Sequence, residues 1–256
     1  MKKLFLLAGL AMSLFITSCK KDKADDNNPG GGGNNGKVIT KITSTKAGVV
    51  TVHNLTYDNS KRLTSIKSTD NKESVVFTYD NDGNLTKIEQ QDEEQKIIQT
   101  IAYTNGKPVS GTFKNWEINE GQQELVQDDE VTYTVVNEQV TKMVSKMKLN
   151  GDLEIEYNFT YQNGQLAAVE SVGDFAFKAV FTFGAKKPLF PAITKYVLDQ
   201  GGFSVQYAAK HELLSIAYDF PGTEGDFIIN NTYTYDANGY VLTSTDGETQ
   251  NTFTYQ

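Results

Sequence analysis

The sequence predicts an all-β domain, an antiparallel up-and-down meander of roughly fourteen strands that forms a curled sheet or a barrel. Phe, Tyr and Val alternate with Thr in many short runs, which is the period-two pattern of a strand with one apolar face. Asn-Gly and Asp-Gly pairs, the strongest short hairpin turns, follow these runs. Tyr57, Tyr79 and Tyr103 are 22 and 24 residues apart, about the length of two strands and two turns.

One strand–turn–strand pattern recurs along the chain. Its clearest copies are residues 77–85 and 234–241, in which an alternating run ends in Tyr-Asp, a polar turn with Gly follows, and an aliphatic residue starts the next strand. Further copies are found at residues 55–63, 102–109 and 159–166, with degraded copies at 131–133 and 181–184. Each copy predicts a hairpin, and successive hairpins predict a meander.

Strands that leave the turns often carry aliphatic residues three positions apart, which breaks strict alternation. These pairs are Leu63 and Ile66, Leu85 and Ile88, and Val140 and Met143. Either a β-bulge lies between the two residues or the sheet is buried on both faces. Lys67, Lys87 and Lys142 occupy the same strands, which favours bulges.

Residues 185–202 depart from the hairpin pattern, because Pro188, Pro191 and the pair Gly201-Gly202 interrupt it. Proline is poorly tolerated inside a sheet. The segment is therefore interpreted as a long excursion with one helical turn that covers one end or one face of the sheet. Long loops of this kind are often functional.

The first 18 residues have the anatomy of a signal peptide. Lys2 and Lys3 precede an apolar stretch over residues 4–16, which is shorter than the roughly 20 residues that a membrane-spanning helix needs. Cys19 follows and is the single cysteine of the chain, so an intramolecular disulfide is excluded. An ordinary secretory signal followed by an unmodified cysteine is the alternative.

The run Ile16-Thr17-Ser18-Cys19 resembles the lipobox of bacterial lipoproteins. That resemblance implies cleavage before Cys19 and multiple acylation of this residue, including palmitate, which would anchor the protein durably in the outer membrane of the cell envelope. Residues 19–36 are polar and glycine-rich and predict a flexible tether with a mean span of roughly 21 to 25 Å. The lysines and acids after Cys19 resemble the segment that directs Bacteroidetes-type lipoproteins to the cell surface, although a merely solvated linker is the alternative.

Residues 37–256 are predicted to form a single all-β domain. The formal net charge of the chain is −8, and loss of the signal peptide with Lys2 and Lys3 makes it −10. An acidic domain repels phosphate backbones, so nucleic acid is not an expected partner.

The Tyr-Asp-x-x-Gly-x-Leu turns resemble those of YD or RHS repeat proteins. Together with the lipobox and the excursion before the last hairpin, they resemble a family of bacterial lipoproteins of unknown function with a porin-like fold. The resemblance spans residues 38–256, but residues 59–61 lack the turn glycine and residues 115–130 are too polar to align. It implies an architecture and no activity. The charged strand at residues 152–156 and the lipid anchor favour a soluble barrel with inward aromatics over a transmembrane pore.

No residue pattern indicates catalysis, a cofactor or a metal. His53 and His211 have no second histidine nearby and are expected to be ordinary polar or packed side chains. The turn at residues 80–84 has its glycine too early for a calcium loop, and the acidic clusters at 92–94 and 128–130 are expected in solvated loops. Trp116, the only tryptophan, is expected to pack in the core, with stacking on a sugar or anchoring of a partner as the alternative.

These features predict a lipid-anchored envelope protein that is not an enzyme. The favoured role is a binding or scaffold module for a glycan, an apolar ligand or an envelope protein. A carboxylate-dependent hydrolase and a transmembrane pore are the alternatives.

Overall fold

A computed structural model describes residues 36–171, 175–190 and 193–256. The predicted signal peptide over residues 1–18 and the predicted lipidation of Cys19 lie outside the described residues. The predicted tether lies outside them as well, except for its last residue, Gly36.

The described chain is almost entirely β-structure, with one short 3₁₀ turn (Lys148–Asn150) and one helical turn, α1 (Val205–Ala208). Its strands are β1 (Ile39–Lys46), β2 (Val49–Tyr57), β3 (Leu63–Ser68), β4 (Ser74–Tyr79), β5 (Leu85–Gln91), β6 (Gln95–Thr104), β7 (Lys107–Asn119), β8 (Gln122–Val136), β9 (Gln139–Met147), β10 (Leu153–Gln162), β11 (Gln165–Ser171), β12 (Phe177–Phe183), β13 (Leu213–Asp219), β14 (Phe227–Asn230), β15 (Thr232–Tyr235), β16 (Val241–Thr245) and β17 (Thr249–Tyr255). Within the described residues, 36–171, 175–190 and 193–256, the helices are too short to span a bilayer.

The strands form one antiparallel meander that curls into a nearly closed barrel. From β1 to β14, and again from β15 to β17, each strand pairs with the next one along the chain. β1 also pairs with β17, so the two ends of the domain meet. The predicted all-β antiparallel meander is confirmed, whereas the predicted number of roughly fourteen strands is wrong because the described residues contain seventeen.

The barrel is interrupted at one residue, Asn231, which separates β14 from β15. β14 pairs with β13 and β15 pairs with β16, while the backbone N–H of Asn231 donates a hydrogen bond to the carbonyl oxygen of Leu214. A single stretch of chain therefore changes its pairing partner at Asn231, which is one reason for the higher strand count. The other edge of β14 has no strand partner in the described part of the chain.

The polar segment at residues 115–130, which could not be aligned to the repeat, forms parts of the two longest strands. β7 and β8 make a hairpin whose turn residues Glu120 and Gly121 have φ of +52° and +80°, as in the primed turns that match strand twist. The hairpin tip extends past the neighbouring strands, because β6 and β9 pair only as far as Glu117 and Asp129. Both faces of the tip meet water, which explains its polar sequence.

The inner face of the sheet is apolar and the outer face is polar and charged. β10 is typical: Ile155, Tyr157 and Phe159 are buried, whereas Glu154 before them and Glu156 between the first two are exposed. Cross-strand ion pairs follow the outside of the barrel. These pairs include Lys142 with Glu156 (2.8 Å), Lys114 with Asp128 (3.0 Å), Lys148 with Glu130 (3.2 Å) and Lys178 with Glu170 (3.5 Å).

The predicted bulges are confirmed. The pairing register shifts by one residue where each strand leaves its turn, so that Thr64, Thr86 and Thr141 are the extra residues between the aliphatic pairs. Because of this extra residue, both aliphatic side chains of each pair are buried.

The tyrosines that end β2, β4, β15 and β17 mark one end of the barrel. The hydroxyls of Tyr57 and Tyr79 donate to the carbonyl oxygens of Ile39 and Leu63, each at 2.8 Å, where the preceding strand begins. This end, called the tyrosine end below, also receives the chain at Gly36, because the start of β1 pairs with Tyr255. The opposite end is called the far end.

Candidate functional site

The excursion between β12 and β13, residues 184–212, is called the plug below, and its described parts, residues 184–190 and 193–212, pack into the barrel. The predicted excursion over residues 185–202 is too short, and the helical turn α1 lies beyond it, at residues 205–208. The excursion occupies one end of the barrel, as predicted, and also reaches into the interior. Phe190, Leu198 and Tyr207 are at most 2% exposed. The plug is buried because its apolar side chains fill an interior that the strands alone do not fill.

Contacts with strands on several sides of the barrel fix the plug. The Tyr207 ring packs edge-on against Phe77 of β4, with centroids 5.0 Å apart. The carbonyl oxygen of Leu198 accepts hydrogen bonds from Gln99 Nε2 of β6 (2.7 Å) and from the Tyr133 hydroxyl of β8 (2.9 Å). Both donors are buried, so these bonds satisfy groups that would otherwise lack a partner.

Both ends of the plug are held at the tyrosine end by buried Glu212. Its carboxylate accepts the backbone N–H of Lys186 (2.6 Å) and the hydroxyl of Tyr235 (3.1 Å). Its backbone carbonyl accepts the N–H of Gly184 at 3.0 Å. Burial, together with the neighbouring carboxylate, raises the pKa of Tyr235. Glu212 therefore ties the start of the plug to its end.

The turn at residues 80–84 is a structural turn, as the sequence indicated. Asp80 Oδ1 accepts the backbone N–H groups of Asp82 (3.0 Å) and Asn84 (2.8 Å), and its Oδ2 accepts Asn84 Nδ2. The Asn84 side-chain bond lowers the pKa of Asp80. Asp58 and Asp236 receive the same pattern from the residues two and four positions later. The recurring Tyr-Asp aspartate is thus a turn-closing acceptor.

The acidic clusters do not form a carboxylate pair. In the second cluster, Asp128 and Glu130 face outwards in ion pairs with Lys114 and Lys148, whereas Asp129 faces inwards. In the first cluster, Asp92 Oδ1 accepts the N–H groups of two following residues, and Glu93 pairs with Lys72 at 2.7 Å. Adjacent acids on a strand point to opposite faces, which separates Asp129 from its sequence neighbours.

The two histidines occupy unrelated environments. His53 is buried in β2 and its Nε2 lies 2.7 Å from Glu73 Oε2. His211 lies at the end of the plug, and its Nδ1 has no hydrogen-bond partner in the described part of the protein. Across the described residues, no three His, Cys, Asp or Glu side chains are grouped so as to hold a metal ion.

Trp116 is half-buried in β7 between Lys96 and Leu125, its neighbours on the two adjacent strands. It is not one of the buried core residues, so the prediction that it packs in the core is wrong. The reason is its place near the projecting β7–β8 tip, where the barrel interior has already ended.

Asp129 is a buried carboxyl group that is only half satisfied. It is 3% exposed, and its Oδ2 accepts hydrogen bonds from Gln127 Nε2 (2.7 Å) and Ser145 Oγ (2.8 Å). Its Oδ1 has no partner in the described chain, and neither does Oδ1 of Asn115, which lies diagonally across from it on β7. Burial raises the pKa of Asp129, while the two donors lower it to a smaller extent.

A cluster of aromatic rings lies at the far end, where β12, β13 and β14 meet the loop at residues 220–226. The cluster and the open depression beside it on the outer face are together called the aromatic depression below. Phe227 stacks on Tyr218, with centroids 4.6 Å apart and an interplanar angle of 26°. Phe220 lies nearly parallel to Tyr218, at 6.4 Å and 9°. Phe177 contacts both Tyr218 and Phe220 from the barrel interior.

The loop that presents these rings has a turn dictated by its sequence. Pro221 and Gly222 occupy the centre of a β-turn that the N–H of Thr223 closes on the carbonyl oxygen of Phe220. Gly222 has φ of +82°, which this position of the turn requires. The N–H of Phe220 also donates to Asp226 Oδ1 at 2.8 Å, so the loop is braced on both sides of the turn.

Phe227 belongs to the inner face of the sheet but is 44% exposed, because no strand follows β14 on that side. On the outer face, Val180, Ala217 and Ile228 form one row across three strands. The small side chain of Ala217 leaves a shallow floor between Val180 (40% exposed) and Ile228 (63% exposed). Lys178, Asp219 and Asp226 complete the walls of an open depression of about 670 Å³.

Sequence reasoning missed this depression, although the chain carries a signal for it. Residues 227–229 are an apolar run that breaks the alternation of apolar and polar residues, and they follow a Pro-Gly turn. Such a run is expected in a strand buried on both faces, yet β14 is exposed. An apolar strand without a neighbour is a candidate binding surface.

No family model and no curated protein matches this chain. Among solved structures, a similar chain is a porin-like protein from Bacteroides vulgatus ATCC 8482, with a TM-score of 0.46 and 10% sequence identity over 86% of this chain and 99% of that chain. At this level of similarity, the name of that protein says nothing about the activity of this one.

Proposed function

We propose that this protein is a lipid-anchored envelope protein that binds a neutral glycan at the aromatic depression and does no catalysis. The observation that carries the proposal is the exposed Phe227 ring, stacked on Tyr218 at the free edge of β14, next to the depression that Asp219 and Asp226 help to line. Aromatic faces pack against the apolar faces of sugars, and the carboxylates of Asp219 and Asp226 can accept sugar hydroxyls.

The charge of the far end favours a neutral ligand over an acidic polysaccharide. The described connections between strands at this end contain eleven carboxylates and only two lysines, Lys72 and Lys148. The carboxylates are Asp70, Glu73, Asp92, Glu93, Glu94, Glu120, Asp152, Glu224, Asp226, Asp246 and Glu248. A field of this sign repels anionic ligands.

Two features support a soluble barrel over a transmembrane pore. A membrane barrel presents an apolar band to lipid and a polar lumen. Here the outer face carries cross-strand ion pairs such as Lys142 with Glu156, and the interior is occupied by the apolar plug. Charged groups at lipid-facing positions would cost several kcal/mol each near the centre of a bilayer.

The anchor is tested by replacing its acceptor thiol. Cys19→Ala is expected to move the protein from the membrane fraction to the soluble fraction, since acyl chains cannot then be attached. Membranes are washed in about 1 M salt, where the Debye length is about 3 Å, so that electrostatic adhesion does not hold the variant. Retention of Cys19→Ala on washed membranes would contradict lipid anchoring.

The binding site is tested by removing the exposed ring. Phe227→Ala is expected to weaken binding to neutral oligosaccharides on a glycan array by about tenfold, the equivalent of losing one aromatic contact of about 1.4 kcal/mol. Val50→Ala is the matched control, because Val50 is 59% exposed on another strand near the same end. Equal loss in both variants, or binding to no neutral glycan, would sink the proposed site. Binding of proteins alone would instead identify β14 as an edge that pairs with a partner strand.

A further inference from the structure

We propose that the tyrosine end of the barrel docks on an anionic phospholipid surface through four lysines of the plug. The inference rests on the proposed lipid anchor, because it concerns how the anchored domain lies on its membrane. It assigns a partner to the end of the barrel that the glycan site does not use.

The four lysines are exposed, although the segment that carries them is largely buried. Lys195 lies between Thr194 and Tyr196, both buried, so it projects from the mouth of the barrel. Lys186, Lys187 and Lys210 are exposed as well, and none of the four makes an ion pair within the described residues.

The lysines are spread across the mouth of the barrel. Lys187 Nζ lies 3.9 Å from the centroid of the Tyr240 ring in the turn between β15 and β16. Lys210 Nζ reaches the turn between β10 and β11, close to Gly164. Lys195 interacts electrostatically with Glu138 in the turn between β8 and β9. The mouth therefore presents cations near three separate turns.

Most acidic residues near the four lysines form ion pairs with other cationic residues. Asp58 pairs with Arg62 at 2.7 Å, and Asp236 pairs with Lys37 at 3.3 Å. Glu138 is bound by Lys107 at 3.0 Å. The remaining exposed or half-buried acids of this end, Asp80 and Asp82, lie in one turn.

The two ends of the barrel thus differ in charge. At the tyrosine end, the described connections contain six cationic residues, and Lys37 just before β1 makes seven, against five carboxylates that reach the surface, whereas the far end is strongly acidic. The chain joins the barrel at Gly36, on the tyrosine end, so a lipid on Cys19 would hold this end nearest the membrane. An anionic surface attracts the lysines and repels the far end, and both effects orient the domain the same way.

The test uses the full mature chain without lipid, so that the anchor does not contribute. Co-sedimentation is measured with vesicles of phosphatidylglycerol and phosphatidylcholine in equal parts, and with vesicles of phosphatidylcholine alone. We expect binding to the anionic vesicles only, with loss of binding at about 1 M salt. Replacing Lys186, Lys187, Lys195 and Lys210 by Gln is expected to lower the partition coefficient by about fivefold for each lysine.

The matched control replaces Lys46, Lys72 and Lys148 by Gln near the far end, which should leave vesicle binding unchanged or strengthen it. Circular dichroism of all variants checks the fold. Equal binding to both kinds of vesicle, no binding to either, or equal loss in the control would overturn the docking surface. None of these outcomes affects the Cys19→Ala test, so failure of the docking and failure of the anchor are distinguishable.

Discussion

Tyr207→Ala is expected to lower the free energy of unfolding by about 3 to 5 kcal/mol, the cost of emptying a large aromatic site in a packed core. Tyr207 is 2% exposed, and its ring contacts Phe77, Phe190 and Phe203 at centroid distances of 5.0 to 5.3 Å. Because Phe77 belongs to the barrel wall and the other two rings to the plug, the ring joins the plug to the wall. Urea denaturation followed by tyrosine and tryptophan fluorescence measures the change.

Tyr207→Phe is the control, because it keeps the ring and removes only the hydroxyl. It is expected to change stability by less than about 1.5 kcal/mol. Hydrogen exchange distinguishes a loosened plug from a weakened barrel: in Tyr207→Ala, amides of α1 should exchange earlier than those of β4. A loss of stability below about 1 kcal/mol would show that the plug does not support the barrel.

Most of the barrel wall could be predicted from the sequence, because its signals are local. Alternation, Asn-Gly turns and the aliphatic residues three apart act within a few positions, and the bulges at Thr64 and Thr86 follow from that spacing. The turn after Tyr57 lacks glycine, and the structure shows how it forms without one: Lys61 adopts φ of +59° there, and Asp58 closes the turn as Asp80 does.

The interior could not be predicted in the same way, because it depends on contacts between distant residues. Gln99 and Leu198 are 99 positions apart, and no local pattern shows that one donates to the other. The prolines at 188 and 191 marked the plug as irregular, but whether an irregular segment lies inside or outside depends on the volume that the closed sheet leaves. The same limit applies to the strand count, since the change of partner at Asn231 needs both β13 and β16 in place.

The candidate site combines signals that are local in the sequence with positions that depend on distant contacts. Lys186 and Lys187 belong to a segment that the sequence marked as an excursion. The position of Lys187 beside Tyr240, at the mouth of the barrel, depends on how the strands close into the barrel. Phe227 was visible as part of an apolar run, yet its exposure follows from the missing strand beside β14. In both cases the sequence shows the charge or the apolar character of the side chain. It does not show that the side chain lies on the surface.

Asp129→Asn is expected to raise the free energy of unfolding by about 1 to 3 kcal/mol at neutral and alkaline pH, the range for relieving a buried group that lacks a partner. Burial raises the pKa of Asp129 in the folded protein above that of the unfolded chain. Between these two pKa values the folded state holds the proton more tightly, so the stability of the wild type falls as pH rises through this window. Asparagine is neutral at every pH and does not have this dependence.

The two proteins should therefore converge in acid, below the unfolded pKa, where Asp129 is protonated in both states. The asparagine oxygen can still accept from Gln127 and Ser145, and its amide can donate towards the orphan Oδ1 of Asn115. Thermal or urea unfolding at several pH values measures the difference, and Asp128→Asn is the matched control because Asp128 is a half-buried, outward-facing ion-pair partner of Lys114. A variant that is less stable than the wild type at neutral pH would show that Asp129 is needed as an anion, with a cationic group bound beside it.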